Sequence, residues 1–124
     1  MVLLDNLARI AEIEFSDIVD ATEIMETKLR IMLLDGGFVD VWLSEKLANR
    51  FGFHWEHKVT DLSYRYDNFP DTKWSNVSTF PYHFHDGSQD QDNVVDSSRF
   101  ARDIVEGFRD FMNWVRVMLR EEKK

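Results

Sequence analysis

Residues 28–44 read KLRIMLLDGGFVDVWLS and carry the clearest folding signal in the chain. Apolar and polar residues alternate on both sides of Asp35-Gly36-Gly37, and alternation with a period of two is typical of a half-buried β-strand. Glycine supplies the left-handed backbone that tight turns need, so the two runs predict a β-hairpin. With a three-residue loop, the apolar side chains gather on one face of this hairpin. The pairs expected on that face are Leu33 with Val39, Ile31 with Val41, and Leu29 with Leu43.

A second hairpin is predicted over residues 50–68, where Thr60 and Asp61 separate two further extended runs. A two-residue loop there sets His54 opposite Asp67, on the sheet face away from the C-terminal helix. Opposite charges and hydrogen-bonding partners directly across a strand pair contribute about 0.2–1 kcal/mol each, which supports this register. The other expected pairs are Glu56 with Arg65 on the same face, and Val59 with Leu62, His57 with Tyr64 and Trp55 with Tyr66 on the opposite face.

Helical spacing of apolar residues occurs at both ends of the chain. Residues 2–12 predict a short N-terminal helix, whereas residues 15–27 fit no single pattern. A long C-terminal helix, capped by Ser97 or Ser98, is predicted from an apolar stripe. The N-terminal apolar residues are Leu3, Leu7, Ile10 and Ala11, and the C-terminal stripe contains Phe100, Ile104, Phe108, Phe111, Met112, Val115 and Met118 or Leu119.

These elements predict a single α+β domain over residues 1–124. We expect an antiparallel sheet of four to five strands, with the long C-terminal helix packed on one face and a short N-terminal helix beside it. At 124 residues, folding buries roughly two thirds of the unfolded surface, which is enough for one core. The expected contacts between helix and sheet join Phe108, Met112 and Val115 to Ile31, Val41 and Trp55.

The composition narrows the class of protein. A net charge of -8 argues against nucleic-acid binding over the whole protein surface and favours a partner with a basic surface. The absence of cysteine excludes disulfides, thiolate nucleophiles and cysteine zinc sites. No apolar run is long enough for a bilayer, and the first five residues lack the basic start of a signal peptide, so we expect a cytoplasmic protein with no membrane contact.

Two polar motifs mark a candidate site. Residues 80–87 read FPYHFHDG, and on a strand His83 and His85 lie on one face. Upstream, residues 65–70 read RYDNFP and add an arginine and a carboxylate to the candidate site. A carboxylate fixes the tautomer of an imidazole, as general acid–base catalysis requires, and Arg65 is suited to a phosphate or a developing oxyanion.

The order of the motifs carries a resemblance to a known family. The motifs are Leu34-Asp35-Gly36-Gly37-Phe38, Phe53-His54-Trp55, residues 65–70, residues 79–87, Asn93-Val94-Val95-Asp96-Ser97 and the C-terminal helix. Over roughly residues 30–97, the chain resembles the TumE-like toxin components of toxin–antitoxin systems. The resemblance implies that a small helix-turn-helix antitoxin, encoded beside the chain, neutralises it. Many relatives have paired histidines where this chain has Asp71 and Thr72, so chemistry assigned to that pair does not carry over.

Two classes of function stay open. The first is a metal-independent ribonuclease, in which one histidine takes the ribose hydroxyl proton and another protonates the leaving oxygen. The second is a binding module whose polar strand face docks a protein partner, without enzymatic activity. No metal or other cofactor is expected, and the expected partners are the antitoxin, RNA and a second copy of the chain. The candidate catalytic residues are His54, Arg65, Asp67, His83 and His85, and the candidate substrate-binding residues are Asn68 and Lys58.

Each candidate also has an alternative role. The alternative for His83 and His85 is that of structural histidines on a strand, bonded to backbone or carboxylate partners. As metal ligands they form only part of a set that needs His54 or Asp67 to complete it. A metal-dependent hydrolase is therefore a third, weaker hypothesis. Tryptophans are more often core residues than stacking platforms for bases, although Trp74 lies in a predicted loop.

Overall fold

A computed structural model describes residues 2–88 and 93–122 of the chain. Over these residues, seven strands form one antiparallel sheet in which each strand pairs with the next along the chain. This confirms the α+β class, but the sheet has more strands than the four to five expected. The elements are α1 (Val2–Glu14), β1 (Val19–Met25), β2 (Lys28–Leu33), β3 (Phe38–Leu43), β4 (Phe51–Glu56), β5 (Ser63–Asp67), a 3-10 turn (Thr72–Trp74), β6 (His83–Ser88), β7 (Val94–Val95) and α2 (Ile104–Glu122).

Strand β1 comes from the segment that the sequence pattern left unassigned. It joins β2 through a two-residue turn in which Met25 pairs with Lys28. Glu26 adopts a φ of 54° in that turn, a left-handed conformation that usually selects glycine or asparagine. Because the turn contains neither residue, it gives no hairpin signal in the sequence. Strand β7 is only two residues long, which explains why the sequence gives no sign of it either.

The register predicted for the β2–β3 hairpin was wrong by two residues. Val39 pairs with Ile31 rather than Leu33, and Val41 pairs with Leu29. The loop is longer than expected because the Asp35 carboxylate accepts the Gly37 N–H at 2.9 Å. A shift of two residues preserves which face each side chain occupies, so the apolar face was predicted correctly.

The β4–β5 hairpin shows the same two-residue shift. His54 lies opposite Arg65 instead of Asp67, and Glu56 lies opposite Ser63 instead of Arg65. The loop widens because the His57 carbonyl accepts the Asp61 N–H at 3.0 Å, with Asp61 at a φ of 58°. The predicted pairing of His54 with Asp67 was therefore wrong, although both side chains do lie on the expected face.

Helix α2 covers the apolar face of the sheet, as expected. Its cap is neither Ser97 nor Ser98, because the Asp103 carboxylate accepts the Glu106 N–H at 3.0 Å immediately before the helix. The expected contact residues of α2 and of the sheet all lie in one buried core. The aromatic contacts are Phe108 and Phe111 on Phe53, with ring centroids 5.7 and 5.9 Å apart, and Trp114 on Trp55 and Tyr64 at 5.4 and 5.0 Å.

Helix α1 shares the covering of the sheet with α2. It buries Leu4, Leu7 and Ala11 in the same core, whereas Leu3 and Ile10 are only partly buried. Both helices therefore contribute to the core that covers the apolar face of the sheet. Among the described residues, neither helix has the length and apolar character that crossing a membrane requires.

Candidate functional site

The sheet face that points away from both helices carries a continuous row of polar side chains, which we call the polar row. Its members occupy successive cross-strand positions from β2 to β6, so each lies beside the next. Three of the five residues predicted to be catalytic belong to it. The polar row consists of Arg30, Asp40, His54, Arg65 and His85.

A second row runs beside the first and ends in the other two predicted catalytic residues. It contains Trp42, Gly52, Asp67 and His83 on β3 to β6. All five candidates therefore lie on one face because of residue parity along β4, β5 and β6. The loop after β5 folds against this face, since the ring of Phe69 packs on Trp42 with centroids 5.0 Å apart.

Asp67, His83 and His85 form a buried group, which we call the histidine–aspartate cluster. One carboxylate oxygen lies 3.1 Å from His83 Nε2, and the other lies 3.8 Å from His85 Nε2. One candidate ligand atom from each residue falls within 4.8 Å of the others. All three residues are buried, and such a site strengthens electrostatic interactions because little water screens them.

The backbone fixes the orientation of His83. Its Nδ1 lies 2.9 Å from the Pro81 carbonyl oxygen, which can only accept a hydrogen bond, so Nδ1 carries a proton. Its Nε2 then points at the Asp67 carboxylate. Both ring nitrogens of His83 therefore face oxygen atoms, one from the backbone and one from a side chain.

Arg65 joins the polar row to the histidine–aspartate cluster. Its Nε lies 3.0 Å from Asp67 Oδ2, but the N–H is not aligned on that oxygen, so the contact is an ion pair rather than a formed hydrogen bond. Gly52 on β4 pairs with Asp67 and lies diagonally across from Arg65, and a Cβ atom at Gly52 would lie 3.3 Å from Arg65 Nη2. Glycine at this position therefore leaves room for the guanidinium group, whose side chain is 35% exposed.

His54 is oriented by a different carboxylate from the one expected. Its Nε2 lies 2.7 Å from Glu56 Oε1, and that oxygen also accepts the Ser63 hydroxyl at 2.7 Å. Burial alone would raise the pKa of Glu56, but the hydrogen bonds from His54 and Ser63 together hold that pKa below its usual value. Glu56 is thus held as an anion beside an imidazole that is 22% exposed.

The two predicted substrate-binding residues do not join the site. The Asn68 side chain donates to the Asn49 carbonyl and accepts the Phe51 N–H at 2.9 Å, so its amide is committed to the backbone. Lys58 lies beyond the far end of β4, about 20 Å along the strand from Gly52 at the usual rise per residue. Its side chain approaches the turn at Gly36 instead.

Sequence reasoning missed Arg30 and Asp40, which lie beside the site, whereas it had singled out Trp74 as a loop tryptophan. Arg30 forms two hydrogen bonds of 2.8 Å to Asp40, directly beside His54 in the polar row. Burial opposes ionisation of Asp40, but the contacts with Arg30 and Lys28 hold its pKa below the usual value. Trp74 meets the His85 ring edge-on, with centroids 5.9 Å apart. The Asp40–His54–Arg65 order was hidden because it depends on strand register, whereas Trp74 had a signal in its loop position.

The geometry defines a class of protein: a small α+β protein with polar groups on its open sheet face. The imidazole and carboxylate groups there can transfer protons, and the guanidinium group can hold a bound anion. A family model described as Toxin TumE matches residues 3–119, and the chain belongs to the TumE toxin family. This match confirms the sequence resemblance and extends it over nearly the whole chain. Family membership supports a toxin component with an antitoxin partner. A comparison with curated proteins and one with solved structures each gave no match.

Proposed function

We propose that the chain is an RNA-cleaving toxin that works without a metal ion and is neutralised by a small helix-turn-helix antitoxin. The observation that carries the proposal is the order His54, Arg65, His85 along the polar row. Two histidines flank one arginine, and each histidine has its own carboxylate partner. Cleavage of a phosphodiester is accelerated by a base that accepts a proton, an acid that donates one, and a cation that stabilises the charge on the phosphate between them.

The proposed roles follow from exposure and position. The side chains of His54 and Arg65 are 22% and 35% exposed, so a substrate can reach both, whereas only 10% of the His85 side chain is exposed. Strands β4 and β6 are two strand spacings apart, or roughly 9–10 Å, which suits side chains that converge on one phosphate from both sides. The Asp67 carboxylate orients the His85 ring, and His83 acts as a positioning residue that holds Asp67 in place.

The reaction balances without a co-reactant. One imidazole accepts the proton of the ribose 2′-hydroxyl while the 2′-oxygen forms a bond to the adjacent phosphorus. The bond from phosphorus to the 5′-oxygen breaks, and the other imidazole gives that oxygen a proton. Arg65 stabilises the charge that develops on the phosphate oxygens, and the products are a 2′,3′-cyclic phosphate and a 5′-hydroxyl.

Cleavage kinetics test the proposal. Tag-free protein in EDTA is mixed with a labelled single-stranded RNA, and the initial rate is compared with that of His54→Ala and Arg65→Ala variants. His54→Ala should lose about 100- to 10,000-fold in rate, the usual contribution of a positioned acid or base, and Arg65→Ala about 100- to 1,000-fold, the usual contribution of a group that stabilises developing negative charge. Arg9→Ala is a matched control, because it removes an exposed arginine from α1 on the other side of the sheet. Equal rates for the parent, His54→Ala and Arg65→Ala would refute the proposal.

A non-enzymatic binding module is the second candidate. The observation in its favour is the net charge of -8, which opposes close approach of RNA and favours a basic protein surface. This account predicts that the purified protein cleaves no RNA, while expression without antitoxin still slows growth. It also predicts that Arg65→Ala changes toxicity only as far as it changes affinity for the partner.

A further inference from the structure

We propose that Asp67, His83 and His85 form a binding site for a divalent transition-metal ion, and that the bound metal blocks RNA cleavage. The blocking half of this inference rests on the proposed function, because Asp67 and His85 belong to both sites. The binding half stands on the geometry of the cluster alone. No metal was expected from the sequence, because His83 and His85 form only part of a set that needs His54 or Asp67 to complete it; the structure brings Asp67 to both histidines.

The spacing of the donor atoms fits a small metal ion. Zinc binds imidazole nitrogen and carboxylate oxygen at about 2.0–2.2 Å, so neighbouring ligands in a tetrahedral site stand about 3.4 Å apart. His83 Nε2 lies 3.1 Å from one oxygen of the Asp67 carboxylate and His85 Nε2 lies 3.8 Å from the other, so the carboxylate stands between the two imidazoles at distances near that value. The widest separation among the three donor atoms is within 4.8 Å, so small side-chain rotations bring them into range.

The surroundings present the correct ligand atoms. A metal-binding histidine usually donates its other ring N–H to a backbone carbonyl or a carboxylate, which fixes the tautomer. His83 does this with the Pro81 carbonyl at 2.9 Å and thereby directs Nε2 into the cluster. Asp67 is held from the other side by the Arg65 guanidinium group at 3.0 Å.

The ligand types select a class of metal. Two imidazoles and one carboxylate suit zinc, cobalt, nickel or iron, whereas magnesium and calcium prefer sets made of oxygen ligands. Three protein ligands also leave a coordination position for water. The nearby positive charge of Arg65 weakens the attraction of the site for a cation, so we infer reversible binding rather than a permanent structural metal.

Metal binding and the proposed catalysis compete for the same atoms. A metal on His85 Nε2 and on the Asp67 carboxylate occupies the lone pairs that would hold a proton or orient the ring. Proton transfer at His85 then stops, although His54 is unaffected because it lies on β4 and bonds to Glu56. Zinc should therefore inhibit cleavage, and a chelator should restore it.

Binding is measured first and without RNA. Tag-free protein stripped with EDTA and dialysed is titrated with zinc chloride in a calorimeter, and bound zinc is counted by native mass spectrometry. We expect one zinc per chain in the parent and in His54→Ala. We expect His83→Ala and Asp67→Asn to lose more than the 10- to 100-fold in affinity that loss of an outer partner costs. Unaltered binding in those variants, or no uptake by the folded parent, would overturn the site.

A measurement on the parent protein covers the case in which the buried variants do not fold. Cobalt(II) chloride added to stripped protein should give the visible absorption of a tetrahedral site with nitrogen and oxygen ligands, and zinc should displace it. Absence of that absorption, in a protein whose circular dichroism spectrum shows a folded chain, would also overturn the site.

The cleavage assay separates failure of this inference from failure of the proposed function. Zinc at saturation should lower the cleavage rate of the parent at least tenfold, reversibly with EDTA. Zinc binding by a protein that cleaves no RNA in either condition would leave the metal site standing and refute the ribonuclease. Zinc that accelerates cleavage would refute the inhibitory role. Cleavage in EDTA with no zinc uptake would support the ribonuclease and refute the metal site.

Discussion

Replacing Gly52 by alanine separates the function of the site from the stability of the fold. The new Cβ atom would lie 3.3 Å from Arg65 Nη2, closer than ordinary van der Waals contact, and 3.5 Å from Asp67 Cβ, which is ordinary contact. The crowded atom, Arg65 Nη2, is at the end of a flexible side chain, so we expect the guanidinium group to move away from the new methyl group while the backbone keeps its position. Alanine also favours an ordered strand over glycine by roughly 0.5–1 kcal/mol, which offsets the crowding.

Gly52→Ala should therefore change the free energy of unfolding by less than about 1 kcal/mol. A misplacement of about 1 Å in a catalytic group costs roughly a hundredfold, so a shift of several tenths of an ångström in Arg65 should lower the cleavage rate about tenfold. Urea unfolding followed by circular dichroism gives the stability, and initial rates on single-stranded RNA give the activity.

The double variant tests whether the effect of Gly52→Ala passes through Arg65. In an Arg65→Ala background, Gly52→Ala should cost no additional activity, because the group that it displaces is gone. An equal loss in both backgrounds would show that Gly52 acts by another route. A full rate in Gly52→Ala, or an unfolded protein, would refute the account of this close approach.

Two further predictions concern stability. The pKa of Asp40 is lowered by Arg30 despite burial, so its stabilising contribution is present above the unfolded pKa of about 3.9 and is lost as pH falls through the lower folded value. Asp40→Asn should flatten the acid limb of a plot of urea midpoint against pH below about pH 5, and an unchanged limb would contradict the assignment. Asn68→Ala removes hydrogen bonds from two backbone groups at 49 and 51, and it should lower the free energy of unfolding by about 2–4 kcal/mol. A loss under about 0.5 kcal/mol in urea unfolding, typical of a surface substitution, would contradict that structural role.

The face on which each strand side chain lies could be predicted from the sequence, because alternation fixes it independently of register. The apolar residues of β2 and β3 are buried as the pattern predicts, and the catalytic candidates share the opposite face. Which residues pair across the strands depends on the lengths of the hairpin loops, and the sequence did not predict those lengths correctly. Asp35 and Asp61 each close a loop larger than the shortest one, and a two-residue shift moved His54 from Asp67 to Arg65.

The assembly of the histidine–aspartate cluster could not be predicted in detail. Pairing of β5 with β6 sets Asp67 opposite His83 across a connection of 15 residues, and no local pattern in residues 68–82 fixes that register. The role of Gly52 was equally hidden, because a glycine in a strand has many explanations until the side chain that approaches it is known. Strand β1 was missed because its turn uses Glu26 in place of glycine.

The chemistry of the RNA ends tests the central account most directly. Purified, tag-free protein in EDTA is incubated with a defined single-stranded RNA, and the products are analysed by mass spectrometry. The account predicts 2′,3′-cyclic phosphate and 5′-hydroxyl ends, formed by the parent and lost in His54→Ala and Arg65→Ala. Intact RNA with a preparation that slows growth when expressed, or products with 5′-phosphate ends, would contradict cleavage by two histidines on either side of Arg65.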